Sequence, residues 1–104
     1  MFKQGSRYIT RGVNDKLPFK LHIIMWMMID DFMLNRSEKD IDYLQVFNIH
    51  RDKNGIKIIH TQEVPTYKNE IMLNRNDIVL ENGCYKIFVI DDVEYCTMML
   101  AEEY

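Results

Sequence analysis

The densest block of apolar positions in this chain is residues 17–34, LPFKLHIIMWMMIDDFML. It predicts one helix, about 27 Å long at 1.5 Å per residue. Pro18 falls near the first turn, where its missing N–H costs little, and Asn14 and Asp15 precede it as cap candidates. On a helical wheel Lys20, Asp31 and Asn35 mark a single narrow polar stripe, and even there Ile24 and Met27 intrude. Leu17, Leu21, Met28 and Phe32 make one apolar row. Phe19, Ile23, Trp26 and Met33 make a second row on a different side, with His22 and Asp30 set among them. Two apolar rows need two things to pack on. One is a sheet of the same domain; the other is a further layer of this chain or a second chain. Residues 35–40, NRSEKD, read as a polar exit loop.

Period-two alternation governs much of the rest. Residues 5–13, with Tyr8, Ile9 and Val13 among polar neighbours, read as a short strand ahead of the helix. Beyond the helix Ile41, Tyr43, Phe47 and Ile49 alternate up to Asn54-Gly55, a dipeptide suited to a two-residue type I′ turn. Residues 56–64 return, and Pro65 ends them. Residues 67–73 alternate with Tyr67, Ile71 and Leu73 on one side; residues 74–83 are polar and turn-like. Residues 84–90 and 93–100 flank Asp91-Asp92 as a further hairpin, and 101–104 form a short acidic tail. The expectation is an α+β domain spanning residues 1–104: a mostly antiparallel, curled sheet of about five to six strands on one long helix, in the order strand, helix, hairpins. A parallel sheet would need a crossover for each pair, and only one helix is in prospect.

Composition narrows the class. The 104 residues are 47% hydrophobic and 28% charged, which suits a globular domain and not a disordered one. The net charge of −3 is too small to imply a partner, but it is unevenly spread. Residues 1–29 carry +4 and residues 64–104 carry −5, so the two ends either attract each other within the fold or form opposite faces. The longest apolar run, 23–29, is far too short for a membrane span, and the start MFKQGSRYITRG lacks the apolar core of a signal peptide. Two cysteines in such a chain are expected to be reduced thiols in the cytoplasm.

Candidate chemistry is sparse. A two-residue turn at Asn54-Gly55 places His60 opposite Ile49 on the apolar face and His50 opposite Ile59 on the other, so the two histidines cannot share a site. His22 lies on the helix in an apolar context. No Cys/His spacing resembles a zinc site. A two-residue turn at Asp91-Asp92 puts Cys84 and Cys96 out of register on opposite faces, which predicts two free, mostly packed thiols. A nucleophilic cysteine would need a nearby cation or histidine, which His22 or His60 could supply only through the fold. Arg7, Ile9 and Arg11 would share one strand face, with Tyr8 behind, a pattern able to meet phosphate and base. The eight acids of the C-terminal segment raise the opposite idea, a DNA mimic that occupies a DNA-processing enzyme. The four glycines are scattered, with no phosphate-binding loop among them. The cluster Met25, Trp26, Met27, Met28 suits either a core or an adaptable partner surface.

Four stretches, GSRYITRGVND, DYLQVF, IIHTQEVPTY and IFVIDDVEYCTMMLAEEY, resemble a small Gram-positive bacterial family known only as a staphylococcal domain of unknown function. The resemblance covers essentially the whole chain. It implies a bacterial cytoplasmic protein of a family some of whose members lie on mobile genetic elements of the staphylococcal cassette chromosome kind, and it implies no activity. The reading that follows is a non-enzymatic protein-interaction module, a homodimer through Phe19, Ile23, Trp26, Met27, Asp30 and Met33, with an unidentified protein partner and without catalytic residues, cofactor or metal. Nucleic-acid binding through Arg7, Tyr8 and Arg11 is the alternative, and the DNA mimic a third.

Overall fold

Lys53 and Asn54 turn one strand back on the next, and hydrogen bonding spreads from there across a six-stranded sheet. The structure is a computed structural model that describes residues 1–74 and 77–104. The chain runs β1 (Arg7–Ile9), α1 (Arg11–Lys16), α2 (Phe19–Met33), β2 (Leu44–Asp52), β3 (Gly55–Gln62), β4 (Tyr67–Leu73), β5 (Gly83–Asp91) and β6 (Cys96–Leu100). The sheet order is β1-β6-β5-β2-β3-β4, with β1 parallel to β6 and every other pair antiparallel. Thus β2, β3 and β4 form a meander and β5 returns beside β2, a Greek key. The sheet stays open rather than closing into a barrel.

One face of the sheet is dry. Phe47, Ile49, Ile56, Ile58, Ile87, Val89, Met98 and Leu100 line it, alternating along their strands as the pleat requires. Leu21, Met25, Met28, Ile29 and Phe32 of α2 close over them in one hydrophobic cluster. These include most of the first apolar row read from the sequence. The other face has no layer over it among the described residues; its centre is half-buried (Val46, Phe88, Ile90, Met99) and one end carries exposed Asn48, His50, Cys84 and Lys86.

Several expectations need correction. Residues 5–13 are not one strand: pairing stops at Ile9, and Thr10 starts α1 by accepting from the Val13 N–H through its hydroxyl at 3.3 Å. Asn14 and Asp15, expected to cap the long helix, lie inside α1 instead. The long helix is shorter by about a residue or two at each end than 17–34, because Pro18 is its N-cap and Asn35, at φ +64°, breaks it. The β2–β3 turn pairs Asp52 with Gly55, so His60 meets Phe47 and His50 meets Lys57. The β5–β6 turn pairs Asp91 with Cys96, which leaves Val93 at φ +69° in a longer loop and starts β6 at Cys96 rather than at 93. Residues 74–83 are not merely a polar turn: they carry the chain from the β4 edge back to β5, and Ile78 within them is buried; Arg75 and Asn76 lie outside the described residues.

The opposite charges of the two ends meet in part. Lys16 reaches Glu102 at 3.3 Å, Lys20 pairs with Asp77, and the Thr10 hydroxyl donates to Glu103 at 2.7 Å. Glu103 also accepts the Leu100 N–H at 2.8 Å, and these two hydrogen bonds, the hydroxyl first, hold its carboxyl below the usual range.

Candidate functional site

The side of α2 turned away from the sheet is apolar where a helix normally shows charge. Phe19, Ile23 and Met27 follow each other at four-residue spacing and are 71%, 41% and 58% exposed; Leu34 continues the line at 65%. No other layer of the described chain covers them. Trp26 and Met33, the remaining apolar members of the second row, turn inward and pack against the core edge. Asp30 is not part of a free surface either. Arg7 binds it at two points, at 3.2 and 2.5 Å, while the same guanidinium donates to the Phe2 carbonyl and lies 4.7 Å from the Trp26 ring centre. The expected interface therefore narrows to Phe19, Ile23 and Met27. Leu34, at the end of the helix the sequence predicts, is exposed beside them.

The polar residues around this strip are arranged by sign. Lys20, paired with Asp77, stands near its N-terminal end, and Asp31, exposed and without a side-chain partner among the described residues, stands near its C-terminal end.

Arg7, Tyr8 and Arg11 are not brought onto one surface. Arg7 is turned into the Asp30–Trp26 nest with its side chain 12% exposed. Tyr8 points to the opposite face of the sheet, edge-on to Tyr95 at 5.9 Å, and Arg11 begins α1 as an exposed residue. The strand that would have aligned them ends at Ile9.

The histidines take three different roles. His22 is buried; its Nε2–H donates to the Leu17 carbonyl at 2.9 Å and lies 3.3 Å from that of Val13, which ties the end of α1 to α2. His60 is fully buried, stacked on Phe47 at 4.4 Å and edge-on to Phe32 and Tyr67. Its Nε2–H donates to Gln45 Oε1 at 2.6 Å, and Gln45 Nε2 donates on to Gln62 Oε1 at 2.9 Å. Burial, assisted by the positive charge of Arg36, lowers its pKa to about 4. His60 is thus a neutral core residue out of reach of a substrate. His50 is exposed on the open face, with Nδ1 3.0 Å from Cys84 Sγ and Nε2 3.4 Å from Asp52 Oδ2. The histidine beside a cysteine is therefore neither of the two the sequence offered, because the contact depends on β5 returning beside β2.

Both cysteines are free, on opposite faces. Cys96 is buried as expected, and burial pushes its thiol pKa up; Cys84 is exposed, contrary to a packed thiol. Among the described residues no group of three His, Cys, Asp or Glu side chains is placed to hold a metal ion, and no helix is long and apolar enough to cross a membrane.

No curated protein matches the chain. Its fold is that of a protein of unknown function from Enterococcus faecalis whose crystal structure aligns over 100% of this chain and 98% of that one, with a TM-score of 0.77 at 24% sequence identity. A helix over one face of an open sheet is thus an architecture the two chains share. The model of one family, staphylococcal proteins of unknown function (DUF960), matches residues 6–103, and the chain belongs to that family.

Proposed function

We propose that this protein is a small non-enzymatic interaction module that works as a homodimer through the outer face of α2. The observation that carries the reading is the exposed apolar line Phe19, Ile23, Met27 and Leu34 with opposite charges at its two ends. A second copy is the occupant that suits it. When two such helices pack antiparallel about Ile23 and Met27, Lys20 of each copy, which also pairs with Asp77 of its own chain, falls beside Asp31 of the other. The antiparallel helix dipoles favour the same arrangement. A contact of two short helices is smaller than a standard interface, so a dissociation constant in the micromolar range is expected.

The test is the oligomeric state of the full chain across a concentration series, by sedimentation equilibrium. The native protein is expected to dimerise, and Met27→Glu to remain monomeric with its circular dichroism unchanged. A native chain that is strictly monomeric at high micromolar concentration overturns the proposal.

A further inference from the structure

We propose that Cys84 is a reactive thiol, served by His50 and Asp52, that exchanges with low-molecular-weight disulfides bearing carboxylates. This site lies on the sheet's open face, away from α2, and is independent of the dimer.

Three elements build it. β2 and β5 are antiparallel neighbours in a register that sets His50 directly across from Cys84. His50 Nδ1 then sits 3.0 Å from Cys84 Sγ. Asp52, two residues on and on the same face, stands 3.4 Å from Nε2. Its other oxygen accepts the Asn54 N–H at 2.8 Å, so the β2–β3 turn itself aims the carboxylate. Asp52 favours a proton on Nε2, which leaves the Nδ1 lone pair facing the thiol. With both ring nitrogens of His50 occupied in this way, the cluster suits proton transfer better than metal binding.

The surroundings suit an anionic co-reactant. Lys57 is paired with His50 across β3, though it also reaches Glu70 at 3.6 Å, and Lys86 lies two residues beyond Cys84 on the same face. Next along that face is an open depression of about 540 Å³ lined by Val46, Asn48, Thr61 and Lys86 among others. Lys68 lines it as well, with one acid, Glu63, and a small disulfide can lie there with its carboxylates on Lys86 and Lys68.

The step is an exchange. His50 Nδ1 takes the Cys84 proton and Sγ attacks one sulfur of R–S–S–R. The Sγ–S bond forms as the S–S bond breaks, and the leaving RS⁻ departs with the electron pair and recovers the proton from His50. Nothing is oxidised overall; one disulfide replaces another.

Oxidised glutathione is the probe, added to the full-length chain and followed by intact mass and peptide mapping. One adduct is expected, on Cys84, with Cys96 untouched in the folded protein. His50→Gln is expected to slow the reaction about tenfold near neutral pH. The deficit should shrink at alkaline pH, where solvent hydroxide can take the proton in place of His50, a trend that a purely structural role would not produce. Lys86→Ala should slow oxidised glutathione about threefold yet leave the uncharged 2-hydroxyethyl disulfide unaffected. An unchanged rate in His50→Gln, with circular dichroism confirming the fold, overturns the role of His50; an equal rate at Cys96 overturns the site; equal slowing of both disulfides by Lys86→Ala overturns the carboxylate preference.

Discussion

Arg7 of the edge strand β1 holds Asp30 of α2 through two nitrogens, across 23 residues of chain. The same guanidinium donates to the Phe2 carbonyl at 2.9 and 3.2 Å and covers the Trp26 ring. One side chain thus pins the N-terminal segment, the sheet edge and the helix together. Arg7→Ala removes all of these at once and is expected to cost about 2 kcal/mol, whereas Asp30→Asn, which leaves the carbonyl and ring contacts in place, should cost about 1 kcal/mol. Urea unfolding of the two variants checks the order; equal or negligible losses would show that the nest contributes little.

His60 makes stability depend on pH. Its ordinary value of 6.5 applies to the unfolded chain, while in the folded chain burial holds it near 4. Between those values the unfolded state binds the extra proton, so stability falls as pH falls and the loss is complete below about 4. A shift of this size corresponds to about 3 kcal/mol. Unfolding free energies from about pH 7 to about pH 4, compared with those of His60→Gln, isolate this part from the carboxylates. The native protein should lose more on acidification than the variant; parallel curves would refute the assignment.

The dimer contact predicts an electrostatic signature. Lys20→Glu, which also removes the pair with Asp77 of its own chain, should place like charges beside Asp31 of the second copy and weaken association about tenfold at low salt. Adding Asp31→Lys to the same chain restores opposite signs and should recover most of the affinity. Sedimentation at two salt concentrations reads both effects, and a double variant no better than the single one would count against the antiparallel arrangement.

Gly55 is required by its turn. Its φ is +135°, and a Cβ built there would lie 2.5 Å from the Leu73 carbonyl oxygen. Gly55→Ala should cost about 2 kcal/mol or more, since neither the backbone nor β4 can yield cheaply. Gly5, whose Cβ position meets nothing within 4 Å, is the control; Gly5→Ala should change stability by less than about 0.5 kcal/mol. Thermal unfolding of the pair decides it.

The sequence misplaced both hairpin turns and still assigned the right faces. His50 and His60 stayed on opposite sides because β2–β3 slipped by an even number of residues, and side chains repeat every two. Cys84 and Cys96 stayed apart for the same reason across β5–β6. The excess of apolar surface on the long helix was legible too, because a 3.6-residue period exposes it directly. The missed helix α1 is six residues long, and its start rests on one threonine hydroxyl, a signal too local to outweigh the alternation around it.

Everything that depends on distant partners was decided by the fold. Which side of α2 would be left to solvent was settled when the N-terminal segment covered Trp26 and not Ile23 or Met27. Arg7 became unavailable to a phosphate once Asp30 came within reach. His50 came to face Cys84 because the chain returned across the sheet to place β5 beside β2, a pairing that no periodicity encodes. Local patterns determine the faces of a strand or helix, since they follow from backbone geometry alone. Neighbours in a sheet follow from which buried surfaces fit together, and that is a property of the whole core.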